Sequence, residues 1–291
     1  MKRAAKSLKY VYLALMILFL YVPIIYLIVF SFNDFGTGRR ISYTNIGAWK
    51  GFTLRNYQTI FKGEAWNSLL LTLEVAGISS IAATVIGTAA AIGIYAMKKR
   101  TRNVILNISQ LPMVNPDLVT GITFMMLFAF VNSVLIKLGM KQANDVIKLL
   151  IAHISFSIPY VIFSVMPRLR QSSDMLYEAA MDLGCSPIQA LLKAVIPDIM
   201  PGITSGFIMA LTMSLDDFVI SYFVSDRSVL SVYVYSSARG TIGVNPALAT
   251  VIFVPLVTLL LIVNLRRLAK EREYEIQSKK VKLKDKGGNI K

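Results

Sequence analysis

The chain has 291 residues, 55% of them hydrophobic and 16% charged, with a formal net charge of +15 and a mean hydropathy of +0.59. That balance excludes an ordinary soluble domain and points to an all-α polytopic membrane protein. The single cysteine, Cys185, rules out an internal disulfide, and the sequence contains neither a GxxxxGK[ST] phosphate loop nor an HExxH pair, so it offers no motif for nucleotide hydrolysis or zinc catalysis.

Crossing a hydrocarbon core takes about 20 mostly apolar residues, and six stretches are read as spans. Tyr10–Phe32 carries no charge and lacks a small-x-small cleavage site, so it reads as a retained first span and not a signal peptide. The second span, Trp66–Met97, holds AGISSIAATVIGTAAAIG, in which Ala83, Gly87 and Ala91 form one small row and Ala76, Ser80, Thr84 and Thr88 another. Rows of this kind let helices approach closely in lipid, and plain helix packing is their expected role. The third span, Asn103–Leu138, is interrupted by PMVNPD, whose prolines Pro112 and Pro116 remove backbone donors. The fourth runs from Leu149 to Met166, the fifth from Pro201 to Val224 and the sixth from Ala247 to Leu265.

Six spans put both termini on one side. The termini and the two loops on that side hold 21 of the 31 Lys and Arg residues, so the positive-inside rule makes both ends cytoplasmic. The basic charge therefore sets orientation and attracts anionic headgroups, and a nucleic-acid partner is not expected. A transmembrane body is expected over residues 1–268, followed by a basic cytoplasmic tail over 269–291.

Between spans four and five lies a cytoplasmic loop, about residues 168–200, that reads as a helix-turn-helix. Ser173 or Asp174 can cap a first helix whose apolar face is Leu176, Ala179, Ala180 and Leu183. Gly184 stands where a left-handed C-cap is wanted. Ser186-Pro187-Ile188-Gln189 then reads as a capping box with proline at the first helical position, and Pro197 and Pro201 are expected to stop the second helix. The acids Asp174, Glu178, Asp182 and Asp198 fit a lipid surface poorly, so a soluble protein partner is expected.

The stretch EAAMDLGCSPIQALLKAVIP resembles the EAA loop of bacterial ABC importer permeases, with Glu178, Ala179, Ala180, Gly184 and Pro197 at matching positions and with Ala194 and Ile196 as departures. Within that family, NPDLV (Asn115–Val119), HISFSIPYVIF (His153–Phe163) and MSLDDFVISYFVS (Met213–Ser225) resemble the PotC-type permeases of spermidine/putrescine importers. The resemblance implies a multi-pass protein of the bacterial inner membrane that forms half of a polyamine pathway and works by alternating access. It implies a second permease, two ATPase subunits that bind the loop and carry ATP and Mg, and an external substrate-binding protein. It implies no cofactor, metal or catalytic residue in this chain.

Acids inside the spans are the candidates for lining such a pathway, because an intramembrane carboxylate normally faces a cavity or a partner. These are Asp216 and Asp217, read as adjacent in the fifth span and about 100° apart on its helix, together with Asp117 and Glu74. A cationic substrate or structural pairing explains Asp216 and Asp217 equally well, and Asn115 or Asp117 is free to cap a helix restarting after Pro116. His153 reads as a packing histidine, with a proton relay or a metal ligand as the alternatives. The rival classes are the same architecture moving another solute, and an ion-coupled secondary transporter. No convincing internal repeat favours the latter.

Overall fold

The computed structural model describes residues 2–34, 49–61, 63–171, 174–237 and most of 246–258. It is all-helical among the described residues, apart from one isolated bridge between Asn33 and Phe52. Among the described residues, five helices are long and apolar enough to cross a membrane: Tyr10–Phe30, Glu64–Tyr95, Asp117–Lys137, Asp145–Gln171 and Pro187–Asp216. The expected sixth span, Ala247–Leu265, and the tail over 269–291 lie largely or wholly outside the described residues, although 246–251 are helical.

The chain divides into two compact units, Met1–Gly63 with Ser237–Lys291, and Glu64–Ser236. In the first, α1 (Lys2–Phe30) is apolar all round and almost wholly exposed over Tyr10–Phe30, as suits a helix bathed in lipid. Its end is tied to α2 (Arg55–Ile60) by polar contacts. Asn56 Nδ2 donates to the carbonyls of Ser31 and Asn33 at 2.8 and 3.0 Å, and Arg55 pairs with Asp34 at 3.0 Å.

The second unit carries the candidate site. Here α3 (Glu64–Tyr95), α6 (Asp145–Gln171) and α9 (Ile196–Asp216) pack on one another. The small rows of α3 are buried along their length, and a Cβ at Gly87 would stand 2.7 Å from Val161 Cβ. Helix α9 presents a matching row of Gly202, Gly206, Ala210 and Ser214, with Gly202 against the Arg168 stem and Gly206 against Val161. In lipid, where burial of apolar area gives little drive between helices, this closeness of backbone is what holds them together. A second apolar cluster joins Val75, Phe128, Leu149, Ile220, Val224 and Val232, so that α10 (Val219–Val224) sits on α5 (Asp117–Lys137) and α6, with α11 (Leu230–Ser237) beside it.

Two of the expected spans differ in form. The third is two helices, α4 (Lys99–Val114) and α5, because the ring of Pro116 forces Asn115 out of the helical region to ψ 139. Only α5 has the apolarity of a span, and α4 buries none of its residues fully. In the loop, α7 (Asp174–Asp182) is followed by α8 (Pro187–Ala190), but Pro197 and Pro201 do not stop the second helix. A π-helical turn over Leu191–Val195 joins α8 to α9, and the helix runs unbroken for 30 residues from Pro187 to Asp216. Ile196 N–H reaches back five residues to Leu191 O, and this wider turn accommodates a proline in the next position. Pro201 is carried inside α9.

Candidate functional site

The loop geometry begins with the end of α7. Gly184 has φ +89, and its N–H bonds Met181 O at 2.9 Å while Cys185 N–H bonds Ala180 O at 3.1 Å. Those paired bonds form a Schellman cap, which needs a residue without a Cβ at its left-handed position. One residue on, Ser186 Oγ accepts from Gln189 N–H while Gln189 Oε1 accepts from Ser186 N–H, closing the expected capping box. Two reciprocal devices thus fix the angle between α7 and α8 without help from the rest of the fold.

The apolar face predicted for α7 is not buried in this chain. Leu176 is 37% and Leu183 86% exposed, and beyond that helix Ile188 and Leu192 are 69% and 55% exposed. Glu178 and Ala179 are exposed and Ala180 is half-buried, while Pro197 occupies the first turn of α9. Glu178 also lines a cavity of about 700 Å³ bounded by Tyr95, Arg102, Leu169, Ile188 and Leu191. The segment therefore presents a rigid, largely apolar ridge with a carboxylate beside it.

Asp216 and Asp217, expected to share one helix, stand on opposite sides of a break. Helix α9 ends at Asp216, and Asp217 is extended at φ −65, ψ 126. The Asp217 side chain is only 7% exposed and turns onto the next helix. Its Oδ1 accepts from Ile220 N–H at 3.2 Å, and its Oδ2 accepts from Ser221 N–H at 2.8 Å and from Ser221 O–H at 2.7 Å. Ser231 O–H donates to the Asp217 carbonyl at 2.6 Å. Asp217, one residue before the N-cap Phe218, thus satisfies donors at the start of α10 that have no partner within that helix. Asp216 is exposed and, among the described residues, has no hydrogen-bond or ion-pair partner.

The other acids are likewise placed. Glu74 is exposed on α3 and lines a cavity of about 440 Å³ together with Glu64, Asn67, Arg227 and Tyr233. Asp117 is exposed in the first turn of α5, at the start of that span and not midway along it. A carboxylate there complements the positive end of the helix. The restart after Pro116 makes no side-chain cap bond, so neither Asn115 nor Asp117 caps it. These acids do not converge into one cluster, and among the described residues no group of His, Cys, Asp and Glu is arranged to hold a metal.

His153, expected to be satisfied in packing, is 1% exposed and bonded through both ring nitrogens. Nδ1 lies 2.6 Å from Ser214 Oγ, while Nε2 lies 3.1 Å from Ser221 Oγ and 3.5 Å from Asp217 Oδ2. Ser214 Oγ in turn meets Ser79 Oγ at 3.1 Å. The serines were not singled out from the sequence, although Ser214 and Ser221 flank the two aspartates seven residues apart and His153 is the single histidine of the chain.

Comparison with known proteins agrees with this architecture. Residues 83–272 match the family described as binding-protein-dependent transport system inner membrane component. The putrescine transport system permease protein PotI of Escherichia coli strain K12 is 34% identical over 268 residues, covering 89% of this chain and 91% of the relative. The spermidine/putrescine transport system permease protein PotC of the same strain is 32% identical over 260 residues, covering 87% and 90%. A solved chain from a bacterial ABC transporter involved in the import of the acidic polysaccharide alginate matches with a TM-score of 0.62 over 92% of this chain and 99% of that one. At 18% identity, that match speaks for the fold alone. With its apolar span helices and a family match over most of its length, the chain belongs to the inner-membrane permease components of binding-protein-dependent ABC importers.

Proposed function

We propose that this chain is one of two permease subunits of an ATP-driven polyamine importer, forming half of a pathway for putrescine or spermidine that works by alternating access. The observation that carries the solute class is the likeness, over about nine-tenths of the chain, to permeases named for putrescine and for spermidine/putrescine. The exposed carboxylate of Asp216, without a partner among the described residues, supports it, because a polyvalent cation leaving water needs negative charge to offset its desolvation. Glu74 and Glu64, in the cavity beside Tyr233, are a further acidic stretch in which a cation would be held, and Asp117 is assigned a lesser part at the start of α5.

In this reading there are six spans, the sixth over 247–265, and both termini are cytoplasmic. The α7–α8 pair is the docking element for a partner ATPase. Its rigid caps and the exposed Leu183, Ile188 and Leu192 support a preorganised ridge that enters a groove. Glu178, Ala179, Ala180, Gly184 and Pro197 are its coupling residues, and ATP and Mg belong to two ATPase subunits and not to this chain. The unbroken helix from Pro187 to Asp216 supports a direct mechanical path from that ridge to Asp216, roughly 44 Å along the helical rise. An external binding protein delivers the solute.

The test is uptake of labelled putrescine and spermidine into proteoliposomes holding this chain, its partner permease and its ATPase, with loaded binding protein on the delivery side. Saturable, ATP-dependent uptake of at least one polyamine is the expected result. Uptake of a neutral solute in its place, with neither polyamine moved, would overturn the assignment.

A further inference from the structure

The break between α9 and α10 has no residue that makes it. The sequence across it, Ser214-Leu215-Asp216-Asp217-Phe218-Val219, contains neither proline nor glycine, and Asp217 takes an ordinary extended conformation. A helix can stop there only if the groups it leaves open find partners elsewhere, because water is not available to bond them at membrane depth. Ile220 N–H and Ser221 N–H bond the Asp217 carboxylate itself, and the remaining partners come from other elements. Ser231 on α11 holds the Asp217 carbonyl, Ser79 on α3 meets Ser214, and His153 on α6 bonds Ser214 on one flank and Ser221 on the other.

The ring of His153 is a rigid bridge between two helices. With the imidazole neutral, the direction of the bonds follows from their partners: Ser221 gives its hydroxyl proton to Asp217, so its oxygen can only accept, and Nε2 must be the donor to it. Nδ1 then accepts from Ser214, whose oxygen also lies 3.1 Å from Ser79 Oγ. Phe156 closes the edge of the ring at 5.5 Å, and the side chain has no freedom to swing.

We propose that His153 is a positioning residue for transport: by clasping Ser214 and Ser221 it fixes the end of α9 and so aims the Asp216 carboxylate. This rests on the reading of Asp216 as a residue of the pathway. His153 itself touches no solute. It sets where the last residue of a 30-residue helix, continuous with the proposed docking ridge, comes to rest.

The experiment is a double-mutant cycle in the complete transporter, reading the initial rate of labelled spermidine uptake. The variants are His153→Leu, His153→Gln, Ser214→Ala, Asp216→Asn and the pairs with Asp216→Asn. His153→Leu should lower uptake about tenfold, and His153→Gln, whose amide both donates and accepts, should recover to within about threefold of the parent. The decisive result is that His153→Leu costs less than about twofold more when Asp216 is already asparagine, since a residue acting through Asp216 has nothing left to aim. A merely structural role would multiply the two losses, and that outcome overturns the proposal, as does full uptake by His153→Leu. Where His153→Leu fails to assemble, Ser214→Ala carries the same cycle with a smaller loss. Full uptake by Asp216→Asn alone would instead remove the pathway role of Asp216, a failure distinct from that of the histidine.

Discussion

The turn at Gly184 and the break at Asp217 each end one helix and start another, and they are held by opposite means. At Gly184 everything is local: a glycine at φ +89, two backbone bonds within six residues, and a Ser186–Gln189 capping box on the next turn. The surroundings are exposed and nothing outside the segment is required. At Asp217 the carboxylate bonds the first turn of the next helix locally, but no proline or glycine ends α9, and three other elements converge on the joint through Ser79, His153 and Ser231. A local device gives a joint that survives when neighbours move, which suits a ridge that a partner pushes. A tertiary device gives a joint whose geometry depends on how the helices pack, which suits a site whose aim changes with the packing.

The largest effect is therefore expected at Asp217. Asp217→Ala leaves Ile220 N–H and the N–H and O–H of Ser221 without their shared acceptor in a buried setting. The expected cost is about 3 kcal/mol, read as a loss of thermal stability of the purified chain in detergent. Gly184→Val comes next, because a β-branched residue at φ +89 costs about 1 kcal/mol or more and tilts α8. The space around Gly184 is open, so the protein should remain inserted while binding-protein stimulation of the partner ATPase weakens. Undiminished stimulation in that variant would break the comparison, since the turn would then be dispensable for coupling. The smallest effect is expected at the other locally made break. Pro116→Ala lies where no residue is buried and no side chain caps the restart, so melting should shift by less than about 1 kcal/mol equivalent.

The same contrast explains what could be read in the sequence. Features written in a few consecutive residues came through: the first span, the small rows of α3, the Gly184 cap, the capping box and the interruption at Pro116. The end of the second loop helix did not, because Pro197 and Pro201 read as stops, and the π-turn over Leu191–Val195 that carries the helix through them has no sequence signature. The placing of Asp216 and Asp217 on one continuous helix also failed, for the break depends on His153, more than sixty residues upstream, and on Ser231. Of the candidate pathway acids, Asp117 moved to the start of a span because Pro116 restarts the helix there and does not kink it. The apolar face of α7, readable as a pattern, turned out to face outward, which a periodicity by itself does not decide.

The central claim is that two adjacent aspartates do different work, Asp216 for the solute and Asp217 for the fold. The most direct measurement sets Asp216→Asn beside Asp217→Asn in the reconstituted importer and reads, for each, spermidine uptake and thermal melting of the assembled complex. Asp216→Asn is predicted to melt with the parent while uptake falls about tenfold. Asp217→Asn is predicted to melt lower, with uptake per intact complex reduced less than in the Asp216 variant. Full uptake by Asp216→Asn, or unchanged melting with abolished uptake in Asp217→Asn, would contradict the account.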